Sequence, residues 1–270
     1  MRPHLVYCLV PALLWGVIAC AESTDCSNPS LIVPDGRINQ SVFAAATPEK
    51  AMTYWYGFYA QAGHSYSVEF VSPTDNYPYQ IGGPVSFSSF YIWAPGVDKY
   101  WCNQQSTLST TRTESYAPVL MHSPGYGDGE RLSFIASTSG LHALTISNSG
   151  GAGNYSFRVV DTTLFNPRWS TWSGYDTQWG LQNLSDMSIS GVFTIYDASN
   201  KLLRSSATTV PAGGEVMRFT NSSDFNLARN TNGYAMFAYV GPPGAILADA
   251  YMLNSSGTIV IYAKFEHPSP

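Results

Sequence analysis

Charge is what this 270-residue chain has least of: Asp, Glu, Lys and Arg together make up 11% of it, against about 25% in an ordinary globular protein. No Lys/Arg cluster occurs anywhere and the formal net charge is -5, so phosphate backbones and anionic lipid surfaces have nothing to attract them. Nucleic acid is not an expected partner. Helical patterning is also missing, because no stretch sustains an apolar i, i+3, i+4, i+7 stripe. Catalytic signatures are absent too: there is no Gly-x-Ser-x-Gly elbow, no His-Glu-x-x-His zinc motif and no phosphate loop. No catalytic residue, cofactor or metal site is therefore named from the sequence. The five histidines (His4, His64, His122, His142 and His267) are scattered. His64, beside a Gly turn, and His142, sharing a strand face with Leu144 and Ile146, read as structural. Asp75 with Asn76, and Asp128 with Glu130, are the only local acidic groupings, and they lack the dense ligand spacing that Ca²⁺ requires.

Cysteine is scarce as well, at four. Two of them fall in a basic-then-apolar N-terminal segment. Arg2 precedes the apolar run 5–18, which is too short for a comfortable membrane span and matches an export signal over residues 1–21. Two endings remain open. Ala19-Cys20-Ala21 has the small residues an ordinary signal peptidase requires, whereas Val17-Ile18-Ala19-Cys20 is similar to a bacterial lipobox, which would make Cys20 a lipidated first residue. The expected location is extracytoplasmic: secreted, or anchored to the envelope, with membrane contact only through that lipid. Residues 22–30 carry little apolar material and read as a tether. Cys26 and Cys102 are the two cysteines left, and in an oxidising compartment a single disulfide is their simplest fate.

What the chain does have is aromatic content, 14%, and period-two alternation. Tyr66, Val68 and Phe70 alternate with Ser65, Ser67 and Glu69, and Tyr155, Phe157 and Val159 alternate with Ser156 and Arg158. Strands are also expected at 52–59, 132–136 and 141–147, punctuated by glycine turns. A second series is expected at 177–184, 191–197, 202–210, 234–240, 245–253 and 258–265. The separators Asp197-Ala198-Ser199-Asn200, Pro211-Ala212-Gly213-Gly214 and Gly241-Pro242-Pro243-Gly244 all have turn chemistry. The expected fold is all-β, two tandem sandwiches at 31–162 and 176–270 joined by a turn-rich, aromatic connection at 163–175.

Three segments carry a resemblance. Tyr54-Trp55-Tyr56-Gly57-Phe58 with Ala62-Gly63-His64-Ser65-Tyr66, then Ser139-Gly140-Leu141-His142-Ala143-Leu144, then Gly153-Asn154-Tyr155-Ser156-Phe157 resemble the bacterial pre-peptidase C-terminal domain family. The resemblance covers about 31–162 and implies a β-sandwich appended to exported bacterial proteins. The second half is similar in style to immunoglobulin or fibronectin-like surface modules.

Aromatic rings supply the sharpest functional expectation. Tyr77, Tyr79, Phe87, Phe90, Tyr91, Trp93, Tyr100 and Trp101 crowd one segment, and Trp169, Trp172, Tyr175 and Trp179 another. Planar faces stack on sugar rings, so Trp93, Tyr100 and Trp101 are candidate ligand contacts, while core packing explains rings as readily. Burial between domains is the expectation for Trp169 and Trp172. Prolines and glycines around 77–101 suggest an excursion from the sandwich. Five Asn-x-Ser sequons, at Asn39, Asn154, Asn183, Asn221 and Asn254, read as by-products of an Asn/Ser-rich surface. The expected function is a non-catalytic secreted or surface-tethered module for adhesion, glycan binding or envelope architecture, its partner a polysaccharide or cell-surface glycan. A secreted hydrolase with its site at 75–120 and a purely structural spacer are the alternatives.

Overall fold

The computed structural model describes residues 18–19, 23, 28–43, 52–70, 87–93, 95, 119–123, 131–148 and 153–267, apart from 224. The fold is all-β, as the alternation requires. Among the described residues no helix is long and apolar enough to cross a membrane.

The first ten strands are β1 (Ile18–Ala19), β2 (Ser30–Leu31), β3 (Asn39–Phe43), β4 (Met52–Ala60), β5 (Ser65–Phe70), β6 (Phe87–Trp93), β7 (Val119–Ser123), β8 (Arg131–Ile135), β9 (Gly140–Asn148) and β10 (Gly153–Asp161). They form two five-stranded sheets, ordered β1-β3-β10-β5-β8 and β2-β4-β9-β6-β7. Eight more follow: β11 (Leu164–Ser170), β12 (Asp176–Asn183), β13 (Ile189–Asp197), β14 (Leu202–Val210), β15 (Glu215–Phe219), β16 (Asn232–Val240), β17 (Ile246–Leu253) and β18 (Ile259–Lys264). These make two four-stranded sheets, β11-β16-β13-β14 and β15-β12-β17-β18.

By compactness the chain divides into two units. The first comprises residues 1–59, 69–130 and 141–158, and the second residues 60–68, 131–140 and 159–270. In the first, Tyr56 and Phe58 of β4, Ile92 of β6, Leu144 and Ile146 of β9 and Phe157 of β10 are fully buried. The Tyr56 and Phe157 rings lie 4.7 Å apart, and the Tyr56 and Tyr155 hydroxyls hydrogen-bond to each other. Part of the expected tether joins this unit, since Ser30 and Leu31 pair in parallel with Tyr56 and Gly57. A Cβ at Gly57 would meet Leu141 Cδ1 at 3.0 Å and Pro29 Cγ at 3.2 Å. Glycine there lets the incoming chain close on β4. The segment expected to leave the sandwich contains β6, which pairs with β9 through Phe87–Asn148 to Trp93–Ala143 and with β7 on its other side. Pro84 and Pro95 flank β6 rather than interrupt it, so its ladder loses no donor.

In the second unit, inward positions repeat with period two. Trp179 and Leu181 of β12, Phe193 and Ile195 of β13, Phe237 and Tyr239 of β16, and Ile246 and Ala248 of β17 join one apolar core. Trp179 packs 5.1 Å from Phe193 and edge-on to Phe225 at 6.0 Å. Residues 164–170, within the expected connection, are a strand: β11 pairs with β16 from Leu164–Phe237 to Ser170–Asn232, with a register shift between Asn166 and Trp169. Pro167 sits in that shift and has no N–H to give, which is where a strand accommodates proline. Trp169 is buried inside this core, whereas Trp172 is half exposed.

A polar seam runs through residues 60–68, 131–140 and 159–163 of the same unit. His64 Nδ1 lies 2.8 Å from Asp161 Oδ2, Thr163 N donates to Asp161 Oδ1 at 2.9 Å, and Ser65 Oγ accepts from Thr162 Oγ1 at 2.9 Å and Tyr239 N at 3.1 Å. Burial pushes the Tyr66 phenol up to about 12. These groups are used up in holding the seam, which accords with a structural His64.

Candidate functional site

The strands of the sheet β15-β12-β17-β18 have two faces of different character. Along β17, Ile246, Ala248, Ala250 and Met252 are buried, while Leu247 is exposed and Asp249, Tyr251 and Leu253 are half buried. Along β12, Trp179 and Leu181 point inward, leaving Gln178, Gly180 and Gln182 on the outer side. Register then fixes the neighbours. Tyr251 pairs with Tyr262 and Asp249 with Lys264 across β17 and β18, and Gly180 pairs with Asp249 on one side and Met217 on the other. The outer face thus gathers Tyr251, Tyr262, Asp249, Lys264, Gln178, Gln182, Met217 and Glu215.

Its centre is a fixed ring. Tyr262 is 51% exposed, and its hydroxyl donates to Asp249 Oδ1 at 2.7 Å. That hydrogen bond to a carboxylate, aided by burial and by the negative charge of Asp249, raises the phenol to about 12. The ring therefore stays neutral and oriented through the physiological range. Tyr251 stands beside it, centroids 5.3 Å apart at an interplanar angle of 42°. On the far side of Gly180 there is a low wall: a Cβ at this glycine would lie 3.1 Å from Glu215 Oε1 and 3.4 Å from Met217 Sδ. Gln178 Nε2 donates to that same sulfur at 3.8 Å. The result is an open shelf with aromatic surface on one flank and carboxylate and amide groups around it. At the edge, Ile259, Val260 and Ile261 of β18 are exposed as well.

Chemically, such a shelf can stack a flat apolar ring face and accept hydrogen bonds from hydroxyls. Among the described residues no group of three or more His, Cys, Asp or Glu could hold a metal ion. Tyr251 and Tyr262 escaped sequence reasoning because they lie in separate strands, each flanked by ordinary apolar residues. The available signal was the alternation of small Ala248 and Ala250 with Asp249 and Tyr251, which marks one narrow face and one bulky, polar one.

Of the residues singled out from the sequence, Trp93 ends β6 opposite Ala143, at a register shift against β7. Tyr100, Trp101, Cys20, Cys26 and Cys102 lie outside the described residues, as do the acidic groupings at 75–76 and 128–130. His142 is buried, its ring stacked 5.8 Å from that of Phe58. The sequons differ in access. Asn183 is 1% exposed, and its Nδ2 donates to the carbonyls of Met187, Val210 and Pro211 at 2.7–3.1 Å, so the folded chain withholds it from modification. Asn221 is exposed.

No protein-family model matches the chain, and no curated protein does. Solved structures resemble it distantly. The full extracellular region of zebrafish Gpr126/Adgrg6 is 12% identical with a TM-score of 0.24, covering 89% of this chain and 31% of its own. A fucolectin from striped bass serum is 10% identical with a TM-score of 0.24 over 85% of both chains. A GH2 β-galacturonidase from Eisenbergiella tayi, bound to galacturonate, is 11% identical with a TM-score of 0.23 over 80% of this chain and 36% of its own. This chain spans about a third of the first and the last of these, and likenesses so slight carry no argument about function.

Proposed function

We propose that this chain is an extracytoplasmic glycan-binding module without a catalytic site of its own, and that it binds through the outer face of β15-β12-β17-β18. The observation that carries the reading is Tyr262: a half-exposed ring, oriented by its hydrogen bond to Asp249, beside a second tyrosine. A solvent-facing ring held in one orientation loses little further freedom on stacking, which favours binding over idle exposure.

Affinity electrophoresis through polysaccharide gels tests this. Tyr262→Ala is expected to weaken retention about 5- to 30-fold, the loss of an interface anchor worth ~1–2 kcal/mol, with the thermal transition nearly unchanged because the ring is outside the core. Retention unchanged by Tyr262→Ala and Tyr251→Ala together would reject the site. Trp93→Ala and Trp101→Ala in the same gel test the rings proposed from the sequence, and assay for new reducing ends tests the hydrolase alternative.

The proposed Cys26–Cys102 bridge is expected to appear as one linked peptide in non-reducing digests of the native protein. Closing a loop of that length stabilises a fold by a few kcal/mol, about 4. Recovery of both as free thiols would reject it, and the mass of the N-terminal peptide decides whether Cys20 carries lipid.

A further inference from the structure

Resting on that reading of the shelf, we propose that its ligand is a glycan bearing protonated amino groups, and that glycans carrying carboxylates are refused. The charged groups on this face are mostly acidic, Asp249 and Glu215 against Lys264. Asp249 gives one oxygen to Tyr262 and keeps a second. Glu215 is exposed and its Oε1 reaches over Gly180, whose register partner on β17 is Asp249, so an acidic residue stands on each side of β12. Asp176, at the end of β12, is engaged by Arg229 at 2.8 Å and by Thr220 Oγ1 at 3.1 Å. Lys264 is the one cation opposite Asp249, and no salt bridge joins the two among the described residues. Tyr262, held neutral, adds no donor beyond the one it spends on Asp249.

A ligand that brings hydrogens finds acceptors in both carboxylates. Sugar hydroxyls do so, and an ammonium group does so with a charge that matches the two carboxylates, whereas a uronate would meet like charge in a chain already at -5. The tyrosine faces add attraction for a cation, since ring quadrupoles present negative surface. Stacking and charge thus select the same class of ligand.

The test is calorimetric titration of the mature chain with three hexamers of matched length: glucosamine, N-acetylglucosamine and galacturonate. The glucosamine oligomer is expected to bind roughly five- to tenfold tighter than the acetylated one, as two partly screened charge contacts allow, and the galacturonate oligomer not measurably. Raising the salt should erase most of the difference. In the double variant Glu215→Gln/Asp249→Asn, stacking on Tyr251 and Tyr262 should remain and the preference vanish. A preference that survives the double variant would be general attraction to an acidic protein and overturns the assignment. Equal binding of the amine and acetyl forms, or binding of galacturonate, overturns it too while leaving the glycan-binding face intact. If none of the three binds, and light scattering shows a dimer that Tyr262→Glu dissociates, the face belongs to a second copy of the chain and the glycan reading falls as well.

Discussion

Replacing Trp169 by alanine is expected to destabilise the second unit by about 3–5 kcal/mol, the usual cost of deleting a fully buried indole. Two effects act together. The ring belongs to the same core as Trp179, Phe193 and Phe237, so its loss leaves a cavity that strands on both sides must bridge. Its Nε1 also donates to Tyr196 O at 3.0 Å and to Tyr234 O at 3.1 Å. Those carbonyls sit on β13 and β16, and the indole thus ties both strands to β11 across the register shift at Pro167. Trp169→Phe keeps most of the volume and removes the donor, and an intermediate loss separates the two terms. Denaturant titration measures both variants. A Trp169→Ala loss below about 1 kcal/mol would mean that the ring is not in this core. The same contacts bear on where the C-terminal module begins: we propose that it starts no later than Leu164, and a fragment starting at 174, without β11 and Trp169, should be the less stable of the two.

The strands of the second half were readable because inward apolar residues alternate with outward polar ones, and because each turn carries its own chemistry. The turn at 197–201 shows why: Asp197 Oδ1 accepts from Ser199 N, Ser199 Oγ and Lys201 N, and these hydrogen bonds hold its carboxyl below the usual carboxylate range. β11 and β15 were not readable. Leu-Phe-Asn-Pro-Arg-Trp-Ser looks like a connection because proline interrupts it, and only the bulge, a tertiary feature, rescues it as a strand. β15 follows Gly213-Gly214 and has half-buried residues on both faces, so period two is blurred there. Clustering of rings along the sequence also misdirected attention within 163–175. Trp169 and Trp172 are three residues apart, yet one is sealed in a core and the other half exposed. The shelf shows the converse, since Tyr251 and Tyr262 are eleven positions apart and become neighbours only through the β17–β18 register. A pairing of that kind is set by the hairpin, not by local composition.

Gly233→Ala should cost about 3 kcal/mol, the upper part of the range for overpacking, although it adds a single methyl group at a half-buried strand position. The reason is what stands in the way. A Cβ at Gly233 would fall on the carbonyl oxygen of Tyr196 and 2.7 Å from Asp197 Cα. Those are backbone atoms of β13, the strand to which β16 is paired at Asp197–Gly233. No side-chain rotamer can relieve the overlap, so the ends of β13 and β16 must separate. Separation strains the Ala198 N to Asn232 O bond at 3.1 Å and displaces the Tyr196 carbonyl that the Trp169 indole uses. Gly180→Ala is the matched control. Its new Cβ meets only the mobile ends of Glu215 and Met217, which can swing away, and its loss should stay under about 1 kcal/mol. Thermal denaturation of the two variants gives the comparison, with Gly233→Ala expected to melt at least several degrees lower at ~2–4 °C per kcal/mol. Equal melting temperatures would mean that β13 and β16 diverge before Gly233, and the shared acceptor at Tyr196 would then be lost to Trp169.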